Sequence, residues 1–186
     1  MTKITRPAGS YRILIVDDSK LESSEYRDAL LAKCASKIEV VVCNGVNEAV
    51  AKLDQDGDWD IIVLDMMMVH DGSQLDLELT KDGKFSGAVL AKRVRCKVGD
   101  VPIILLSNCT FKEVREACEQ TESIVTNCVH WQKPSLSPAE LATKLDQFFK
   151  SGSLKKDSGL LARIFGALLF QPNIAGVGVD VKKLFE

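Results

Sequence analysis

Three short apolar runs, Ile13-Leu14-Ile15-Val16, Ile61-Ile62-Val63-Leu64 and Ile103-Ile104-Leu105-Leu106, constrain this chain more than anything else in it. None alternates with polar residues, and each is rich in β-branched or branched side chains, which suits a strand buried on both faces. Residues 38–43 supply a fourth run, and Cys128-Val129-His130-Trp131 a weaker fifth. Helical patterns lie between them, over residues 20–36, 46–55, 88–95, 112–120 and 138–150. Tyr26, Leu30 and Cys34 recur every four residues in the first of these, and Leu141, Leu145 and Phe148 share a face in the last. Strand alternating with helix predicts a five-stranded parallel sheet of the doubly wound α/β class, with right-handed crossovers.

Two segments break the alternation. Residues 69–86 separate the third strand from its helix, well beyond the usual loop of about two to six residues. Leu75-Asp76-Leu77-Glu78-Leu79-Thr80 alternates and is followed by Lys81-Asp82-Gly83-Lys84, a pattern that reads as a hairpin or, in the plain alternative, as a solvated loop. The other segment is the tail, in which Ser151-Gly152-Ser153 reads as a linker, Leu160 to Phe170 as an apolar helix, and Gly176 to Val181 as a short strand. The expected organisation is an N-terminal tail over 1–10, a domain over 11–150 with an insertion at about 70–86, and a C-terminal extension over 151–186.

Charge and composition narrow the function. With 24 Lys and Arg against 26 Asp and Glu, the net charge of -2 gives no electrostatic case for binding DNA. No apolar run approaches the roughly 18 residues of a membrane span, and the first ten residues lack the apolar core of a signal peptide. The six cysteines include no zinc-type pair, and most sit in apolar segments, so they are expected to be buried small hydrophobes in a reducing cytoplasm.

In a parallel α/β sheet, ligands bind outside the carboxyl ends of the strands. The residues at those ends are Asp17 and Asp18, Asp65, Ser107 and Asn108, and Gln132-Lys133-Pro134. Three carboxylates in one crevice repel one another, by about 4 kcal/mol per pair at roughly 4 Å and an effective dielectric near 20. A cation, or a proton on one acid, resolves the conflict. An all-oxygen site with few protein ligands suits Mg²⁺, which favours phosphate as a partner. One carboxylate could then attack a phosphoryl group, with Lys133 and Ser107 stabilising its oxygens. Taken singly, each residue has an ordinary alternative as a turn, a helix cap or a surface lysine.

Together these motifs resemble the receiver domain of two-component response regulators, of the chemotaxis-regulator type. The resemblance rests on Ile13 through Ser19, Ile61 through Asp65, Pro102 through Ser107, Lys133-Pro134, and Ser86 through Arg95, and it covers residues 11–150. It implies the flavodoxin-like receiver fold, with Asp65 as the phosphoacceptor, taking phosphate from a histidine kinase or phosphotransfer protein. It further implies that Asp18 and Asp65 bind Mg²⁺ directly, that Asp17 does so mostly through water, and that Met67 offers its backbone carbonyl. Ser107 and Lys133 would read the phosphoryl group. His130 takes the switch position, where Tyr or Phe is usual, and would couple Ser107 to the face made by the 112–120 helix, the fifth strand and the last helix; a histidine satisfied within its strand is the plain alternative. Such a protein is not an enzyme beyond its own phosphotransfer and dephosphorylation.

The chain departs from the family pattern at several points. The glycine that usually closes the loop after the acceptor appears only at Gly87, displaced by the insertion, and Val69 replaces a proline. The insertion is expected to border the site and limit access or recognise a partner. Asn108 is bulkier than usual and, with Met67, should slow loss of the acyl phosphate. The extension is too short for a DNA-binding effector, so output is expected through an unidentified protein partner. The apolar Leu160 to Phe170 stretch must bury against its own domain, against a second copy in a homodimer, or against another protein. Two other functional readings remain open: a receiver-like scaffold that works unphosphorylated, and a Mg²⁺-dependent phosphohydrolase. The haloacid dehalogenase type of the latter needs two aspartates two residues apart on the first strand, and Asp17 and Asp18 are adjacent.

Overall fold

The computed structural model describes residues 10–34, 38–69, 75–120 and 128–150; the expected linker, apolar helix and short strand of the extension lie outside it, as do residues 1–9. The described elements run β1 (Tyr11–Val16), α1 (Lys20–Cys34), β2 (Ile38–Cys43), α2 (Val46–Gln55), β3 (Ile61–Asp65) and α3 (Leu77–Thr80). They continue as α4 (Ser86–Val98), β4 (Ile103–Ser107), α5 (Phe111–Gln120), β5 (Cys128–Gln132), a 3-10 turn (Lys133–Ser135) and α6 (Pro138–Lys150). The sheet has five strands in the order β2-β1-β3-β4-β5, and every pair is parallel. The expected fold class is the one observed.

The apolar runs are continuous because both faces of the sheet are covered. Ile13, Ile15, Ile61, Val63, Ile104 and Leu106 pack with Tyr26 and Leu30 of α1 and Leu141 and Leu145 of α6. The intervening residues Leu14, Val16, Ile62, Leu64, Ile103 and Leu105 pack on the other face with α2, α4 and α5. Each such side chain, fully buried, contributes about 1.5–3 kcal/mol. The strand period of two therefore sorts one uninterrupted apolar run into two cores.

Three helices begin at Ser or Thr followed three residues later by Glu. At α5 the Thr110 amide donates to Glu113 Oε2 at 2.8 Å, and the Glu113 amide to Thr110 Oγ1 at 3.3 Å. At α6 the Ser137 amide donates to Glu140 Oε2 at 2.8 Å, and the Glu140 amide to Ser137 Oγ at 3.3 Å. Both are complete reciprocal capping boxes. At α1 only half a box forms. The Glu22 amide donates to Ser19 Oγ at 3.3 Å, while the Ser19 amide turns to Asp17 Oδ1 at 2.8 Å.

Two expectations fail. The alternating segment after β3 is not a hairpin among the described residues. Asp76 Oδ1 accepts the amides of Glu78 and Leu79 at 2.8 and 3.1 Å, starting the one-turn helix α3 in place of a strand. The expected Asp-Gly turn does form, with positive φ at Lys81, Asp82 and Gly83, but it leads back into α4. The cysteines are not uniformly buried: Cys34 and Cys43 are, Cys109 and Cys128 are half-buried, and Cys96 is exposed.

Candidate functional site

The chain leaves β1 for β2 on one side and later returns to β3 on the other, so a crevice opens at the carboxyl ends of β1 and β3. The register pairs Val16 with Leu64, which sets Asp17 and Asp65 side by side one residue further on. Both are buried, at 2% and 7% exposure, and Asp18 is half-buried. Carboxylate oxygens of Asp17, Asp18 and Asp65 all lie within 4.8 Å of one another. Lys133, in the first turn after β5, reaches back so that its Nζ lies 3.0 Å from Asp17 Oδ2 and 3.1 Å from Asp65 Oδ1. Four residues from three separate stretches of sequence thus meet.

A fifth group was not foreseen from the sequence. Glu22 Oε2, on the first turn of α1, accepts a hydrogen bond from Lys133 Nζ at 2.6 Å. This is where the side chain goes that would otherwise close the α1 capping box.

The pocket is short of positive charge. Burial, with the neighbouring charges of Asp17 and Asp18, outweighs Lys133 and pushes Asp65 up to about 7. Burial also raises Asp17, against the pull of Lys133 and of the Ser19 amide. Burial alone would lower Lys133, but its hydrogen bond to Glu22 and the charges of Asp65 and Asp17 raise it above the ordinary lysine value, so it stays an ammonium. One ammonium among three clustered carboxylates and Glu22 leaves room for a divalent cation, and the donors are all oxygen, the chemistry Mg²⁺ takes. The donor set fits that ion.

Ser107, fully buried, ends β4 one residue beyond Leu106, the register partner of Asp65. Its Oγ accepts the Cys109 amide at 2.9 Å, which leaves the hydroxyl proton to donate elsewhere. Met67 lies in the loop directly after β3, its side chain 45% exposed, with Sδ 3.6 Å from Cys109 Sγ of the loop after β4. Asn108 is exposed. His130 pairs in register with Leu105 and so shares the sheet face that α5 covers; burial lowers its pKa and keeps the imidazole neutral.

The insertion is tied to the loop that carries the site. The Val69 amide donates to Asp18 Oδ2 at 2.7 Å, the Met68 amide to Gly83 O at 3.2 Å, and Ser86 Oγ to Met68 O at 3.2 Å. After this detour the Gly87 amide donates to Met66 O at 3.0 Å. A Cβ at Gly87 would stand 2.2 Å from Asp65 O and 2.8 Å from Met66 Cα. Only glycine allows α4 to start against the end of β3.

No family model and no curated protein matches the sequence. Solved structures do match. The receiver domain of a Francisella response regulator superposes with a TM-score of 0.53 at 22% identity, covering 77% of this chain and 100% of that one. A response regulator receiver protein from Sinorhizobium medicae WSM419 gives 0.55 at 18%, covering 76% and 95%. A CheY-like receiver domain protein from Methanospirillum hungatei JF-1 gives 0.53 at 17%, over 76% and 95%. At these identities the likeness establishes the fold: the described chain folds as a response regulator receiver domain does.

Proposed function

We propose that this protein is a phosphoacceptor response regulator, accepting a phosphoryl group on Asp65 from the phosphohistidine of a histidine kinase or phosphotransfer protein and signalling in the cytoplasm through protein contacts. The observation that carries this reading is the Lys133 ammonium bridging Asp17 and Asp65 beside Asp18. A buried lysine and three acids at one strand-end crevice is costly as structure alone, since burying charges costs more than a hydrophobic replacement of similar volume.

Asp65 Oδ is the nucleophile. Its P–O bond forms as the P–N bond of the donor imidazole breaks, and the imidazole takes up a proton. Lys133, whose ammonium lies 3.1 Å from Asp65 Oδ1, neutralises charge on the phosphoryl oxygens, and the buried Ser107 hydroxyl donates to another. Asp17, Asp18 and Asp65, with the Met67 carbonyl, would hold Mg²⁺. The ion supplies charge neutralisation that lets the anionic donor approach the acid pocket. Neutral, half-buried His130 is the switch residue of this reading: movement of Ser107 toward the phosphoryl group is passed to it on the neighbouring strand, and from there to α5.

The test is intact-mass spectrometry of wild type and Asp65→Ala after incubation with Mg²⁺ and phosphorylated candidate kinases. One added phosphoryl group is expected on wild type and none on Asp65→Ala or without Mg²⁺. No phosphorylation of wild type by a kinase that phosphorylates other receivers would favour a receiver-like scaffold.

A further inference from the structure

We infer that Glu22 is a positioning residue for Lys133, a displaceable arm that occupies the ammonium until a phosphoryl oxygen takes its place. The inference rests on the phosphoacceptor reading and adds to it a residue that competes with the phosphoryl group.

A lysine ammonium has three donors and no acceptor. Around Lys133 Nζ stand three carboxylate oxygens, from Glu22 at 2.6 Å, Asp17 at 3.0 Å and Asp65 at 3.1 Å. An arriving phosphoryl oxygen can be read by Lys133 only if one of the three withdraws. Burial decides which. The side chains of Asp17 and Asp65 are 2% and 9% exposed and sit at the ends of central strands, whereas Glu22 is 42% exposed on the first turn of a surface helix. Glu22 alone can move its charge into water at little cost. It is also the acid that a second negative group nearby would repel most easily, being the least fixed.

The helix start supplies an independent observation. In α5 and α6 the equivalent glutamates, Glu113 and Glu140, fold back onto the amide of the capping residue at 2.8 Å. Glu22 occupies the same position in α1, yet the Ser19 amide is already taken by Asp17 Oδ1 at 2.8 Å. Asp17 thereby removes the local partner that would hold Glu22 on its own helix and leaves it to reach Lys133. A ring of hydrogen bonds runs from Asp17 through Ser19 and Glu22 to Lys133 and back to Asp17, and Glu22 is its more exposed carboxylate.

Beryllofluoride, a non-covalent tetrahedral stand-in for the phosphoryl group, tests this on the full chain in Mg²⁺. Its affinity for wild type, Glu22→Gln and Glu22→Ala is measured by titration, with the Tm of each protein taken in its absence. Both substitutions should tighten binding about fivefold, the upper scale of a half-exposed ion pair, with little change in Tm. A residue that merely supported the fold would, when replaced, lower the Tm and weaken binding, and that result overturns the inference. So does an unchanged affinity while wild type binds the anion, which leaves the phosphoacceptor reading standing. If wild type and both variants all fail to bind, the two fall together.

Discussion

Asp65 concentrates the electrostatic conflict of the whole pocket. With its carboxyl raised to about 7, the folded protein holds a proton there that an unfolded chain, titrating at the ordinary aspartate value of 3.8, has already lost. Between those values the native state binds more protons than the unfolded one, so its stability falls as pH rises through the window. At about 1.4 kcal/mol per pH unit of displacement the loss is at most a few kcal/mol. A cation in the pocket favours the ionised acid and restores what is lost. Mg²⁺ should therefore raise the Tm by several degrees at about pH 8 and much less at about pH 5.5, and Asp65→Asn should remove most of the difference. Equal shifts at both pH values would place the ion elsewhere. Asp17, Asp18, Asp65 and Lys133 were legible because each ends a readable apolar run, and parallel strands align their ends. Glu22 was not. Ser19 followed by Glu22 spells a capping box, and nothing local shows that Asp17 takes the Ser19 amide or that a lysine 111 positions away stands ready for the glutamate.

Among the elements, the strands and long helices were readable because burial on two faces and a 3.6-residue period leave strong patterns. The segment after β3 was not, because Leu75, Leu77 and Leu79 satisfy the strand period while Asp76 acts as a helix cap. A cap hydrogen bond is set by the backbone turn, and the alternation does not report it. The outcome is an exposed Leu77 and Leu79, with Leu75, Thr80 and Phe85 buried beneath. The detour ends at Gly87, which carries the element-scale prediction. Gly87→Ala forces a methyl into the backbone of Asp65 and Met66, where no flexible side chain can yield. It should cost about 2–3 kcal/mol in urea unfolding, and Mg²⁺-dependent phosphorylation should fall with it, because the end of β3 that carries Asp65 must shift. Gly57→Ala, where a Cβ meets nothing within 4 Å, is the control and should be near neutral. A near-neutral Gly87→Ala would mean that the close approach to Asp65 is relieved at little cost, since the entropic effect of Gly→Ala is itself stabilising.

For the molecule as a whole, both faces of the sheet are covered by helices that lie between residues 20 and 150, and α6 closes the second core with Leu141, Leu145 and Phe149. Tyr11 of the first strand stacks on Phe149 with ring centroids 4.3 Å apart, and its hydroxyl donates to Phe149 O at 3.3 Å, which joins the start of the sheet to the end of α6. Every residue assigned to the site falls between Asp17 and Lys133. The core and the site of the described residues are thus drawn from positions 11–150. A chain ending at Lys150 should unfold within about 3 °C of the full protein, the scale of 1 kcal/mol for a domain of this size, and should accept phosphate on Asp65 at the same rate. The large exposed apolar side chains of the described residues, Leu21, Leu31, Met67, Val69, Leu77 and Leu79, all sit on α1, on the loop after β3 or on the insertion. A drop of many degrees on truncation would show that the apolar stretch from Leu160 to Phe170 is part of the folded domain. An unchanged Tm with loss of a downstream response would leave that stretch to a partner.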